Sequence, residues 1–250
     1  MAVEPIPGEP AALVDCGGER ALVVADYHAG IEAGLRREGV ELDSDADGRL
    51  AVLTSLLDRT APDRLIVLGD LGHAIGEPGR AEREEIGAVL AAVTERVPVT
   101  LVRGNHDGEI EGLLDEGDRV SLAPSRGVRL GDVGFVHGHT WPDPSVLAAE
   151  FLCLGHEHPV VRLEDGVGGR RVERAWLRGG VDPAPFREYH GADLSAPAEL
   201  IVFPGFNERS GGTWVNVDSS GFLSPFLPDA LVDGQAYLLD GTRLGAYERV

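Results

Sequence analysis

The chain contains no lysine. All 22 of its basic residues are arginine, set against 42 acidic ones, for a formal net charge of −20. Such a balance disfavours polyanionic partners, and no basic helix or arginine stretch interleaved with aromatics is present to hold a duplex. A generic acidic surface is one reading. The sharper one is a protein from a halophile, kept solvated in concentrated salt by its own charge. At molar salt the screening length falls to about 3 Å, which weakens the charge argument against nucleic acid without removing it. Cysteine is almost as scarce: Cys16 and Cys153 stand far apart and outside any CxxC spacing. That excludes a disulfide scaffold and a structural zinc knot, and it fits reduced thiols in a cytoplasm. The N-terminus lacks the basic and apolar regions of a signal peptide. No apolar run approaches membrane length. The expectation is a cytoplasmic protein with no membrane partner.

At 250 residues, the chain can bury a core without a disulfide or metal staple, and residues 1–250 read as a single domain. The first two-thirds alternates strand and helix patterns. Apolar runs at Ala21–Ala25, Leu65–Leu68 and Val99–Val102 are short enough for buried strands. Between them, Arg49–Thr60 carries Leu50, Leu53, Leu56 and Leu57 at helical spacing, and Glu82–Val97 carries Ile86, Val89, Leu90 and Val93. This βαβαβ rhythm predicts an α/β fold with helices on the faces of a central sheet. Beyond Val120 the pattern becomes β-rich. A hairpin is expected at Gly131-Asp132, a short helix at Pro144–Glu150, and strands at Phe151–Leu154, Val160–Leu163, Val172–Leu177 and Leu200–Phe203. A closing hairpin is expected around Asp240-Gly241, and Gly179–Pro197, rich in Pro, Gly and Asp, reads as a long surface loop.

Seven of the 8 histidines fall in five short clusters, each just after a predicted strand. In chain order these are Asp26-Tyr27-His28, Gly69-Asp70-Leu71-Gly72-His73, Gly104-Asn105-His106-Asp107, His137-Gly138-His139 and Gly155-His156-Glu157-His158. Carboxylate and imidazole together suit divalent transition metals. A two-residue spacing puts Asp26 and His28, or His156 and His158, on one side of an extended strand end, where both reach toward a shared ion. Glycine before Asp70, Asn105 and His156 suits turns where backbone crowds a site. A lone DxH or HxH is ordinarily chance; five such clusters on strand ends are not.

The series DxH, GDxxH, GNHD, HGH and GHEH resembles the calcineurin-like metallophosphoesterase superfamily, and within it the archaeal branch related to SbcD-type DNA-repair nucleases. The resemblance implies a four-layer α/β/β/α sandwich of the metallo-dependent phosphatase type. It implies two divalent metal ions, manganese first and iron, zinc or nickel as alternatives. One would be held by Asp26, His28 and His158, the other by Asn105, His137 and His156, with Asp70 bridging. Two ions about 3.5–4 Å apart polarise a phosphoryl group and supply a metal-bound hydroxide as nucleophile. His106 matches the family's non-ligand histidine, which stabilises transition-state charge or protonates the leaving oxygen. His73 stands where many phosphatases of the superfamily have an aspartate that orients that histidine. The nuclease branch is similar to this chain in having GDxxH, which tilts the substrate toward a phosphodiester and leaves open what orients His106.

Around these, Asp107 is expected to shape the turn, and Glu157 to point away from the ions as a neutral departure from the usual threonine. His139 either supports the metals or makes a local hydrogen bond. His190 reads as a surface histidine. Arg103, Arg178 and Arg209 either meet substrate phosphates or sit in salt bridges. The stretch Phe203-Pro204-Gly205-Phe206-Asn207 carries the resemblance only loosely into the C-terminal third. The expected function is hydrolysis of a phosphodiester in a nucleotide or single-stranded nucleic acid. The alternatives are a phosphomonoesterase or nucleotide pyrophosphatase with the same metals, and a non-catalytic scaffold of the same fold.

Overall fold

Short continuous apolar runs make the central strands of two sheets, which are buried on both faces there. The computed structural model describes residues 2–114, 119–164, 166–191, 193–217 and 221–250. Its first half runs β1 (Val3–Pro5), β2 (Ala11–Asp15), β3 (Arg20–Val24), α1 (Ile31–Arg37), α2 (Ala46–Thr60), β4 (Arg64–Val67), α3 (Arg80–Thr94), β5 (Val99–Val102) and β6 (Val120–Ala123). These six strands form one sheet in chain order. The pairings are antiparallel from β1 to β3 and parallel from β3 to β6.

The second half runs β7 (Val128–Leu130), β8 (Val133–Val136), α4 (Pro144–Leu147), β9 (Phe151–Leu154), β10 (Val160–Glu164), β11 (Arg170–Val181), α5 (Ala184–His190), β12 (Glu199–Val202), β13 (Leu231–Leu238) and β14 (Arg243–Ala246). Its sheet has the order β14-β13-β11-β12-β9-β8-β7, with β10 paired to β11. At its centre β8, β9 and β12 are parallel to one another.

Alternation along each strand assigns the layers. Ala21, Val23, Ile66 and Leu68 of the first sheet meet Phe135, Cys153, Trp176 and Ile201 of the second in a core between the sheets. The intervening residues Leu22, Val24, Leu65 and Val67 face outward onto Leu53, Leu56 and Leu57 of α2 and Ile86, Val89 and Val93 of α3. On the far side, Leu152, Leu154, Leu177 and Val202 pack against Val146 and Leu147 of α4, Phe186 of α5, and Phe226. The result is the predicted α/β/β/α sandwich, with a thin outer helical layer on the second sheet. Among the described residues no helix is long and apolar enough to cross a membrane.

One expected element is wrong. The segment Gly179–Pro197 is not a long loop: β11 continues to Val181, and α5 occupies Ala184–His190. Gly179 and Gly180 lie inside the strand, where the register against β13 shifts. A Cβ on Gly179 would strike the backbone oxygen of Val232, so the glycine serves strand approach rather than a turn. Pro185 stands in the first helical turn, where a missing N–H costs nothing. Phe186 then anchors α5 in the core. Ala192 lies outside the described residues.

Candidate metal centre

Because β3, β4 and β5 are parallel, and β8 and β9 are parallel in the facing sheet, their carboxyl ends deliver five loops to one edge of the sandwich. Asp26 follows β3, Asp70 follows β4, Asn105 and His106 follow β5, His137 follows β8, and His156 and His158 follow β9. The chain turns sharply at these points. Asp26, His28, Asp70, His156 and His158 all have positive φ, between 42° and 68°. Left-handed backbone costs a non-glycine residue about 1–2 kcal/mol, and its concentration here marks a site held by its surroundings. Gly104 is required for a different reason: a Cβ there would collide with the Asp70 carboxylate.

All seven expected ligands converge. His158 Nε2 lies 3.1 Å from Asp26 Oδ1, and His28 Nε2 lies 3.4 Å from His158 Nε2. These three residues form one group whose donor atoms lie within 4.8 Å of one another. A second such group is Asp70, His137 and His156, and Asn105 Oδ1 joins it 3.0 Å from His137 Nε2. Asp70 stands between the groups, its Oδ2 being 3.3 Å from His137 Nε2 and 3.9 Å from His28 Nε2.

The donor chemistry fits a cation. His137 Nδ1–H donates to the Leu68 carbonyl at 2.7 Å, which turns the Nε2 lone pair toward two oxygen acceptors. A positive charge at Nε2 satisfies that arrangement. In the protein alone a proton supplies it. Burial depresses the His137 pKa, but the Asp70 and Asp26 carboxylates outweigh burial and raise it to about 9. Burial holds His28 down to about 3 and His156 to about 4, leaving both imidazoles neutral and ready to ligate. Burial opposes ionisation of Asp26 and Asp70, yet His158 beside the first and His137 beside the second keep both below the usual carboxylate range.

His106 and His73 stand to one side. His106 Nδ1 donates to the backbone carbonyl of His73, and its Nε2 lies 3.8 Å from Asp70 Oδ2. What orients His106 is thus a main-chain oxygen. The His73 ring stacks on that of His106 at 5.7 Å and 10°, and its Nδ1 is 3.4 Å from His28 Nδ1.

Several supporting residues went unpredicted. Asp107 does shape the turn, accepting from the backbone N–H of Asp70, Gly72 and Gly104. Glu82 accepts from His73 N and Ala74 N, and Glu85 from Gly30 N. Both lie on the buried stripe of α3 with Ile86 and Val89, and acids in an apolar stripe are a signal the sequence did carry. Asn207 donates to the carbonyls of Tyr27 and His28, so the Phe203–Asn207 stretch braces the first ligand loop. Glu157 points away from the ligands as expected, but it is not neutral. Fully buried, it accepts from Thr213 Oγ1, Leu223 N and Ser224 N. His139 stands beside His137 and His156, its buried Nδ1 without a hydrogen bond among the described residues. His190 reaches the Pro142 carbonyl. Arg103, Arg178 and Arg209 pair with Glu111, Glu199 and Glu32.

A family model described as calcineurin-like phosphoesterase matches residues 19–194, from β3 past the last clustered histidine. The chain belongs to the calcineurin-like phosphoesterases. This phosphoesterase is therefore a metal-dependent hydrolase of phosphoric esters, in a family that uses divalent metals. No sequence among curated proteins matches it. Among solved structures, the phosphoesterase is similar to a nuclease, MPE, from Pseudomonas putida. That likeness has 22% identity and a TM-score of 0.57, and it covers 97% of this chain and 100% of the other. It is also similar to Yfce, a phosphoesterase from E. coli, at 20% identity and a TM-score of 0.41, over 90% of this chain and 96% of the other. The first likeness shows the fold.

Proposed function

We propose that the phosphoesterase is a binuclear metal-dependent phosphodiesterase acting on a nucleotide or single-stranded nucleic acid. One divalent ion is held by Asp26, His28 and His158 and the other by Asn105, His137 and His156, with manganese the preferred metal. The observation that carries the reading is Asp70 Oδ2, lying between the two donor groups at 3.3 Å from His137 and 3.9 Å from His28. A carboxylate so placed can bridge two ions. When bound, such a pair polarises the phosphoryl oxygens and lowers the pKa of an attacking water.

The chain's own contribution is orientation and proton delivery. His106, fixed through Nδ1 by the His73 carbonyl, presents Nε2 to the reacting phosphate and hands a proton to the leaving oxygen. His73 stacks behind it. The GDxxH motif that His73 completes, similar to that of the nuclease branch, is the feature favouring a diester, and the nuclease among the similar structures is in keeping with it. The reading treats residues 1–250 as one domain. It also includes a cytoplasmic halophile as source and kinship with SbcD-type nucleases.

The test is hydrolysis of bis(p-nitrophenyl) phosphate and of p-nitrophenyl phosphate with manganese in high salt, together with metal analysis of the purified protein. The expectation is two bound ions and faster turnover of the diester. Asp70→Asn should lose both ions together and lower kcat/KM by at least a hundredfold. Activity that survives both chelation and Asp70→Asn would end the proposal, and a preference for the monoester would reassign the substrate.

A further inference from the structure

His106 lines a cleft of about 520 Å³, with His73 beside it, and none of the seven expected metal ligands lines it. One wall is α1 and its C-terminal end, at Gly34, Arg37 and Glu38; the other is the segment from Ala74 to Glu82. If His106 protonates the leaving oxygen, as proposed above, the group attached to that oxygen runs into this cleft. Its volume lies within the usual 300–1,000 Å³ of a ligand pocket, ample for a nucleoside and its next phosphate.

The walls differ in what they offer such a group. Ile75 is 82% exposed, an apolar side chain on the rim where a base can pack. Arg37 is the only arginine in the lining, and its guanidinium crosses the face of Gly79, where a Cβ would lie 2.8 Å from Nη2. The adjacent Arg36 is engaged with the Leu42 carbonyl. Arg37 makes no side-chain hydrogen bond or ion pair among the described residues. Of the acids in the lining, Glu82 is already committed to two backbone N–H groups, and Glu38 stands beside Arg37 at the helix end. In a chain with charge −20, an uncommitted guanidinium in the same cleft as the general acid is an unusual placement of positive charge. Its planar fork is suited to a phosphate.

The geometry points to this cleft as a leaving-group subsite in which Arg37 binds a second phosphate, one nucleotide beyond the bond that breaks. The substrate class is then a phosphodiester whose leaving group itself carries a phosphate, as in an oligonucleotide, rather than a minimal diester. This inference rests on the phosphodiesterase reading.

The experiment compares bis(p-nitrophenyl) phosphate with the dinucleotide TpT and its two terminally phosphorylated forms, pTpT and TpTp. Each is assayed with manganese in wild type, Arg37→Gln and Arg37→Lys. In wild type, kcat/KM for one phosphorylated form should exceed that for TpT by roughly tenfold, mainly through KM, the range expected of a charge-assisted hydrogen bond. Arg37→Gln should bring that ratio close to one, and Arg37→Lys should retain part of it. A ratio near one in wild type, or one unchanged in Arg37→Gln, overturns the subsite while bis(p-nitrophenyl) phosphate is still turned over. Failure to hydrolyse any diester overturns the underlying reading, and the subsite with it.

Discussion

His73 is held from three sides. Its N–H goes to Glu82, its carbonyl fixes His106, and its ring lies between His106 and the α1 backbone at Gly34. A Cβ on Gly34 would sit 2.8 Å from His73 Cδ2 and 2.9 Å from Nε2. Glycine inside a helix costs about 1 kcal/mol relative to alanine, so Gly34 is retained to the detriment of α1. Gly34→Ala separates the two demands. The helix gains intrinsic stability while the His73 ring is displaced and carries the His106 stack with it. The expected outcome is a melting temperature equal to or above wild type with kcat lowered roughly tenfold, since small misplacements of reacting groups are costly. Thermal melts and diester kinetics on the same preparation check it. Unchanged kcat would mean that the stacked pair has no part in turnover.

At the scale of elements, α1, α2 and α3 are tied together beneath the site by charge. Arg49 of α2 bonds Glu32 of α1 and Glu85 of α3, and Arg209 reaches Glu32 from the Asn207 loop. Glu85 continues to Gly30 N, two residues from His28. Removing one partner of a buried pair leaves an uncompensated charge, a loss of about 3–5 kcal/mol. Arg49→Met should therefore cost about that much in denaturant unfolding and loosen the loop that carries Asp26 and His28. Acid should act on the same network. Burial opposes ionisation of Glu32, but its bonds to Arg49 and the charge of Arg209 prevail and bring its pKa down from 4.5 to about 2. A depressed carboxylate contributes stability that is complete above the unfolded-state value and is lost as pH falls toward the folded one. The contribution of Glu32 should hence disappear between about pH 4.5 and 2. In Glu32→Gln, stability should change less over that window; an identical acid slope in both proteins would detach the network from acid unfolding.

These elements also show what the sequence made legible. Each expected ligand sits within a few residues of a strand end and a turn glycine, so local pattern was enough to single out the clusters that hold Asp26, Asp70, Asn105 and His156, while their reading as ligands came from the family resemblance. The core strands and α2 and α3 were visible because their apolar spacing is regular. β1 has three residues and α1 seven, with a glycine inside it, too little for periodicity to register. The supports were hidden for a different reason. Asn207 holds the Tyr27 carbonyl across 180 positions, and Glu157 closes on residues 56 to 67 positions away. Nothing in a local window announces such pairs. Glu82 and Glu85 are the exception, since two acids on an apolar helical stripe already imply buried partners.

On the scale of the whole molecule, electrostatics are governed by a net charge of −20 spread over a surface of 11191 Å². Most arginines near that surface are paired locally, for instance Arg80 with Glu84 and Arg96 with Asp58. Such exposed pairs are screened by solvent and contribute little to stability, and they leave the acidic excess unanswered. Self-repulsion of that excess opposes the compact state. It is relieved by salt, because the Debye length shrinks from about 30 Å at 0.01 M to about 3 Å at 1 M. The melting temperature should therefore climb steadily as potassium chloride is raised over that range, with the paired-charge contributions lost at the same time too small to reverse it. Chloride is the right anion for the measurement, since sulfate strengthens apolar burial in any protein. A melting temperature that stays flat or falls with potassium chloride would show that the folded state does not feel its own charge. The acidic composition would then be no mark of a saline interior, and the argument against a polyanionic substrate would return at full strength.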